Sequence, residues 1–299
     1  MNRILVIGSS NTDMVIKTEK FPAPGETILG GTFLLNPGGK GANQAVAAAR
    51  LGGKVTFINK RGNDLFGNQA VGLLMREGID IQYAIKDPDL PSGVALIIVD
   101  SKGENSIVVA PGSNSKLMKE DIPEKIFKTG KYGILLLQLE IPLSTVEYSA
   151  VMASENGIKV ILNPAPAQKL SENLLSHTWL LIPNEIEAET ISGIRISDLS
   201  TAEIAASTIQ EKGVKNVIIT MGESGAFVKS DSFTGMVPGV LVKAVDTTAA
   251  GDVFNGAMAV AIAEGKDMKE AVVFANRAAS ISVTRLGAQA SAPYRKEME

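Results

Sequence analysis

A doubly wound α/β fold is predicted by this chain of 299 residues, with a mostly parallel sheet, helices on both faces and a small β-sheet lid. Three observations carry the prediction. Short runs of Val, Ile and Leu recur that are apolar on both faces, as strands buried on two sides must be. Amphipathic helical patterns alternate with them, each closing on a glycine. Two segments break that rhythm with a β character of their own.

Taken in chain order, "RILVIG" around Ile4 reads as the first buried strand, followed by an irregular stretch from Asn11 to Pro37 with "FPAPGET" at its middle and no helical period. The pattern "NQAVAAARLG" then predicts a helix closed by Gly52, "VTFIN" from Val55 a strand, and "NQAVGLLMREG" a helix closed by Gly78. The run "GVALIIVDSKGENSIVVAPG" from Gly93 reads as two strands around a Lys-Gly-Glu turn. Buried strands follow at "YGILLLQL" from Tyr132, "KVILNP" from Lys159, "WLLIPN" from Trp179 and "VIIT" from Val217, with the helix "AEIAASTIQEKG" closed by Gly213 before the last. Strand alternating with helix implies right-handed crossovers and ligand binding at the carboxyl ends of the strands. The expected organisation is a main α/β domain of residues 1–10, 38–91 and 114–299, with a discontinuous lid of residues 11–37 and 92–113.

Composition narrows the function. An apolar content of 45% supports a large core, and 29 Lys and Arg against 32 Asp and Glu leave a formal charge of -3. No strong field therefore draws nucleic acid or an anionic membrane to the surface. The chain has no cysteine, which excludes disulfides, thiol nucleophiles and cysteine zinc sites. The opening "MNRILVIGSS" reads as a buried strand rather than a signal peptide, and no apolar run approaches the roughly 18 residues of a membrane span. A soluble, cytoplasmic protein is expected.

Two small-residue clusters carry the chemistry. In "AVDTTAAGDVFNGAMA", Ala249, Ala250 and Gly251 precede an apolar helical pattern that begins near Gly251 or Asp252. Unpaired amides at such a helix mouth, together with about half a positive charge, favour an anion, and small side chains let a phosphate reach them. Asp252 beside that turn is placed either to accept a proton from an attacking alcohol or simply to cap its helix. The second cluster, "NPGGKGANQAVAAARLG", places Gly38, Gly39, Lys40, Gly41, Ala42 and Asn43 at another helix start. It is no Walker A loop, because Lys40 is followed by glycine rather than Ser or Thr. It reads instead as a backbone packed against a small polar ligand, with Lys40 and Asn43 as hydrogen-bonding groups.

Together "PGGKGANQAVAAARLG" and "DTTAAGDVFNG" resemble the two signatures of the ribokinase, or PfkB, family of carbohydrate kinases, in the expected order. Further similarity runs along nearly the whole chain, in "GSSNTDMVI", "FPAPGET", "LLLQLEIP", "PNEIEAE", "ITMGESGAF" and "VTRLGAQAS". The resemblance implies a ribokinase-like fold and transfer of the ATP γ-phosphate to the 5-hydroxyl of D-ribose. It makes Asp252 the base and Ala249, Ala250 and Gly251 the anion hole, and it places Asn11, Asp13, Gly39, Lys40, Asn43 and Glu140 on the sugar. On the ATP side it implies Asn184, Glu187, the loop Thr220, Met221, Gly222, Glu223, Ser224 and Gly225, and Asn276, with Glu187 in the surroundings of Mg²⁺. Asp246, Thr248, Ser282, Arg285, Gly287 and Ser291 match the family's monovalent cation site, where carbonyl ligands suit K⁺.

Plainer readings stand beside several of these: Asp13 as a turn residue, Glu140 as a solvated acid, Lys40 as a surface charge, and Asn276 as an exposed polar position on its helix. Asn184 and Glu187 have the spacing of a capping box. Many relatives carry Gly-Ala-Gly-Asp where this chain has Ala249-Ala250-Gly251-Asp252, which bears on the geometry of the loop. His177, the only histidine, reads as a structural loop residue. Relatives clasp two lids together, so a homodimer is expected. The alternatives are a kinase of deoxyribose or a ketohexose and, from another class, a non-catalytic sugar-binding module.

Overall fold

Eight strands form the central sheet of the computed structural model, which describes residues 3–299. They are β1 (Arg3–Ile7), β4 (Val55–Ile58), β9 (Tyr132–Leu137), β10 (Lys159–Leu162), β11 (Leu180–Leu181), β12 (Asn216–Thr220), β13 (Gly225–Lys229) and β14 (Thr234–Pro238). The order across the sheet is β14-β13-β12-β11-β10-β9-β1-β4. Every pairing from β4 to β12 is parallel, and β13 and β14 add two antiparallel edge strands.

The sheet explains the continuous apolar runs. Successive side chains of β1 point to opposite faces, so Ile4 and Val6 enter one core while Leu5 and Ile7 enter the other. In β9, Ile134 and Leu136 join the first core and Leu135 and Leu137 the second. Helices α1 (Lys40–Arg50), α7 (Ala250–Ala263) and α8 (Met268–Ser282) cover the first face, with α2 (Leu65–Arg76) adding Leu74. Helices α3 (Leu143–Glu155), α4 (Glu172–Ser176), α5 (Glu185–Ser192) and α6 (Leu199–Glu211) cover the second, and the short α9 (Ala288–Ser291) packs by α1. Burying both faces of a parallel sheet is what the doubly wound fold requires.

A second sheet has the order β3-β2-β7-β8, with β2 (Asn11–Lys17), β3 (Thr32–Gly38), β7 (Gly93–Val99) and β8 (Asn105–Ala110). Only Gly8, Ser9 and Ser10 separate β1 from β2, and β3 runs through Gly38 into α1. The small sheet is thus stitched to the carboxyl end of the large one, over the place where ligands bind in such folds. All six residues of β8 are exposed. Strands β5 (Lys60–Gly62) and β6 (Ile85–Asp87) form a separate parallel pair.

Several local expectations need correction. Gly52, Gly78 and Gly213 do not cap their helices: Leu51, Glu77 and Lys212 do, and each glycine lies one residue beyond. Their φ values of 94°, 73° and 106° are the left-handed conformation that turns the chain away at that position. The strand expected from Trp179 pairs only over Leu180–Leu181. No expectation from the sequence pattern covered the β13–β14 pair, in which β13 opens on Gly225 and β14 carries Gly235 inside it and closes on Pro238. Among the described residues, no helix is long and apolar enough to cross a membrane.

Candidate active site

Helix α7 begins one residue earlier than its apolar pattern indicates, at Ala250, with Ala249 as N-cap at φ 60°. Ala249 is the one non-glycine residue with positive φ among the described residues, a conformation that costs an alanine about 1–2 kcal/mol. The left-handed turn closes with the Ala250 N–H donating to the Thr247 carbonyl at 3.2 Å. That leaves the N–H groups of Ala249, Gly251 and Asp252 without a partner among the described residues. Gly251 is exposed, and a Cβ built there would meet nothing within 4 Å, so the helix mouth is open.

Asp252 does not cap this helix. The residue is 6% exposed and its carboxylate turns to α1, where Oδ2 accepts from Asn43 Nδ2 at 2.9 Å and Oδ1 from Gln44 Nε2 at 3.0 Å. Burial pushes its pKa up, while Lys40 and the hydrogen bonds from Asn43 and Gln44 oppose that push and Glu140 adds to it. Asn43 Oδ1 remains buried without a partner.

The first cluster meets Asp252 because β3 enters α1 at a very close backbone approach. A Cβ on Gly39, at φ 87°, would lie 2.6 Å from Asn11 N, and one on Gly41 would lie 2.6 Å from Ser9 N. A Cβ on Gly38 would lie 2.2 Å from Asp13 Oδ2. All three positions are therefore closed to side chains, and the loop lies against the start of β2. Asn11 is buried and its Oδ1 accepts from Asn114 Nδ2 at 2.7 Å. Glu140 is no solvated acid: its Oε2 accepts from Ser9 Oγ at 2.5 Å and from the Lys40 N–H at 2.9 Å.

Charge is concentrated here. Burial raises the Asp13 pKa from 3.8 to about 6, helped by Glu140 and Asp252 and opposed by Lys40. The Lys40 ammonium is held above its ordinary pKa by Asp252 first, against burial, with Glu140, Glu187 and Asp13 adding to the effect. One cation thus sits among four carboxylates.

Asn184 and Glu187 form the capping box: Asn184 Oδ1 accepts from the Glu187 N–H at 2.8 Å and Glu187 Oε2 from the Asn184 N–H at 2.8 Å. Burial raises the Glu187 pKa, with the Asn184 N–H and Lys40 opposing. Thr220 N donates to the Pro183 carbonyl at 2.9 Å, so the loop Thr220–Gly225 starts beside Asn184. Gly222 and Gly225 take φ of 55° and 104° in that loop, around a short 3₁₀ turn that includes Glu223 and Ser224 and follows Met221. Asn276 is buried rather than exposed, and its Nδ2 donates to the Val237 and Pro238 carbonyls at 3.2 and 3.1 Å. It tethers the end of β14.

The segment before α7 is joined to the one after α8. The Val283 carbonyl accepts from Val245 and Asp246 N–H groups at 2.7 and 3.1 Å, and Asp246 accepts from the N–H groups of Thr248 and Gly287, each at 2.9 Å. Burial pushes the Asp246 carboxyl up, but hydrogen bonds from Thr248 and Gly287 outweigh it and hold its pKa below the ordinary value. Ser282 and Ser291 are fully buried with their hydroxyls on the carbonyls of their own helical turns, and Arg285 pairs with Glu297. His177 caps α4 with Nδ1 against the Asn173 carbonyl.

Sequence reasoning missed Ser9, Gln44, Asn114, Gln138 and Asn163. Gln138 and Asn163 directly follow the apolar strands β9 and β10, and a polar residue at that end of a parallel strand is a usable signal.

The chain matches the pfkB family carbohydrate kinases over residues 1–295. It is 46% identical to a ribokinase of Haemophilus influenzae, covering 98% of this chain and 96% of that one. It is 39% identical to a deoxyribokinase of Salmonella typhi, covering 97% and 95%. Among solved structures, a ribokinase from Thermotoga maritima superposes with a TM-score of 0.91 at 43% identity, covering 100% of this chain and 98% of the other. The Arabidopsis thaliana ribokinase complexed with ribose and ATP gives 0.93 at 32% identity, covering 99% and 97%.

Proposed function

We infer from membership of the pfkB family of carbohydrate kinases, to which this chain belongs, that it transfers the γ-phosphoryl group of ATP to the 5-hydroxyl of D-ribose. The observation that carries the reading is the Asp252 carboxylate, turned from its own helix toward the glycine loop and adjoining the free amides of Ala249, Gly251 and Asp252.

In this reading Asp13, Glu140 and the unpaired Asn43 Oδ1 accept from sugar hydroxyls, with Asn11, Lys40 and the backbone of Gly38–Asn43 framing the ring. Asp252 takes the proton from the 5-hydroxyl as its oxygen forms a bond to the γ-phosphorus and the bond to the bridging oxygen of ADP breaks. Burial makes this carboxylate a stronger base than an exposed one. The helix-mouth amides face the charge on the transferring group, a preorganised arrangement that needs no reorganisation during transfer. Asn184, Glu187, the Thr220–Gly225 loop and Asn276 form the ATP side.

In this reading Glu187 would stand beside Mg²⁺ carried on the ATP phosphate oxygens, where the ion would neutralise charge on the transferring group. K⁺ is assigned to the junction of Asp246 and Thr248 with Ser282, Arg285, Gly287 and Ser291. The Asp246 carboxylate at this junction would supply one charge and main-chain carbonyls the remaining ligands of a weakly hydrated monovalent cation, which would add positive charge beside the anion hole. The lid, comprising residues 11–37 and 92–113, is proposed to pair with a second copy of the chain. Its support is the apolar surface left uncovered at Phe33, Leu35, Leu96, Ile107 and Val108. Sedimentation checks this, and a monomer at micromolar concentration would contradict it. The use of ATP and the lack of cysteine fit a cytoplasmic enzyme.

The similarity to a deoxyribokinase keeps 2-deoxyribose as the second reading. ADP release with ATP, Mg²⁺ and a panel of D-ribose, 2-deoxyribose and fructose separates these, with ³¹P NMR locating the new phosphate. D-Ribose is expected to give the highest kcat/KM and a 5-phosphate. A preference for either other sugar would overturn the assignment, and no turnover with any would leave a sugar-binding module.

A further inference from the structure

We propose that Gln44 is a positioning residue for the reaction, the central link of a buried amide relay that holds Asp252 ionised and facing the sugar. The proposal rests on Asp252 being the base. Gln44 and Gln138 are fully buried, and Asn163 is 7% exposed. Gln44 Nε2 donates to Asp252 Oδ1 at 3.0 Å and to Asn163 Oδ1 at 3.1 Å, while Gln44 Oε1 accepts from Gln138 Nε2 at 2.6 Å.

An amide side chain can be placed either way round, but in this relay its direction is forced. Asn163 Nδ2 donates to the Ile182 carbonyl at 3.1 Å, and a main-chain carbonyl can only accept. Asn163 must therefore present its oxygen to Gln44, and Gln44 must answer with its NH₂ group. Gln44 Oε1 then faces Gln138 and accepts from its NH₂ group, so Gln138 follows the orientation that Asn163 sets and holds it in place. The second N–H of Gln44 is then aimed at Asp252. A flip of Gln44 would set its oxygen against both Asn163 Oδ1 and Asp252 Oδ1.

The fold gives something up for this. Gln138 Oε1 is buried without a partner, although such an oxygen costs about 1–3 kcal/mol. It lies against the backbone of Gly8, where a Cβ would stand 2.2 Å away. An apolar residue at position 138 would remove that cost, but it would also remove the donor to Gln44 Oε1 and leave that oxygen buried without a partner. Asn43 is proposed to reach the sugar as well as Asp252. Gln44 has no exposed surface, so its effect must pass through the base.

The effect has a distinct signature. Asp252 is faced by Lys40 and Asn43 from the glycine loop and α1, by Glu140 beyond β9, by Asp13 from β2 and by Glu187 from α5. Loss of the Gln44 hydrogen bond leaves burial and the carboxylates less opposed, so the base should protonate at higher pH. Gln44→Met is expected to lower kcat about 10- to 100-fold while the KM values for ribose and ATP stay within about threefold. The acid limb of the kcat–pH profile should move upward. Gln138→Met, which removes only the clamp, should do the same to a smaller degree, and it carries the test if Gln44→Met fails to fold. Adding Gln44→Met to Asp252→Asn should change the residual rate no further. An unshifted acid limb, or kcat and both KM values worsening together in step with lost Tm, would reduce Gln44 to a packing residue. Retained turnover in Asp252→Asn alone would instead overturn the assignment of the base.

Discussion

Replacing Asp13 by asparagine should make the free protein more stable and a much poorer binder of sugar. Burial, with Glu140 and Asp252, raises this carboxyl from 3.8 to about 6. A folded-state pKa above the unfolded one means that stability is fully present below pH 3.8 and is lost as pH rises through about 6. Two units at about 1.4 kcal/mol each set an upper bound near 3 kcal/mol above that pH. Asp13 is only partly buried, so solvent screening reduces this to roughly 1–2 kcal/mol. Asparagine has nearly the same shape and no charge. Differential scanning calorimetry of the sugar-free protein at pH 7.5 should show Tm raised by roughly 2–6 °C, and the gap from wild type should close toward pH 4. Ribose affinity by titration calorimetry should fall about 100-fold, because charge-assisted hydrogen bonds contribute roughly 1.5–3 kcal/mol each. An unchanged or lower Tm at pH 7.5, or an unchanged ribose affinity, would refute the reasoning.

Three other perturbations probe separate parts of the site. Gly38→Ala puts a Cβ 2.2 Å from Asp13 Oδ2, so KM for ribose should rise at least about tenfold with KM for ATP unchanged; steady-state kinetics with each substrate varied checks this. Ala249→Gly should raise Tm modestly and keep turnover, since it relieves a left-handed alanine at φ 60°, while the β-branched Ala249→Val should lose most of its kcat. Asp246→Ala removes the acceptor for Thr248 and Gly287, and it should abolish the rise in kcat expected of the wild type when KCl replaces choline chloride. A wild-type rate indifferent to KCl would contradict the proposed cation site.

The parallel core was legible because a strand buried on two faces must be apolar throughout, and Ile4 to Ile7 feed alternate cores in that way. The antiparallel edge was not, since β13 is a five-residue strand with no alternation of buried and exposed positions, and β14 carries Gly235 inside it and closes on Pro238. In the site, both small-residue clusters were visible as missing bulk; close backbone approaches give the reason at Gly39 and Gly41, whereas at Gly251 the missing side chain leaves the helix mouth open. The orientation of Asp252 was not, because a carboxylate at the start of a helix reads equally as a cap. The amide relay was hidden for a different reason: Gln44 sits inside an apolar helical pattern, and its partners lie 94, 119 and 208 residues away. Asn184 and Glu187 had a local spacing, and the box they form does not exclude a further role beside ATP.

The central claim is that Asp252 deprotonates the sugar beside a phosphoryl group held on free amides at the mouth of α7. Single-turnover ADP formation by Asp252→Asn, measured with ribose binding by calorimetry on the same preparation, tests it most directly. The account predicts ribose affinity within a few-fold of wild type and a transfer rate lower by about 10²- to 10⁴-fold. Transfer within about threefold of the wild-type rate at undiminished ribose affinity would contradict it.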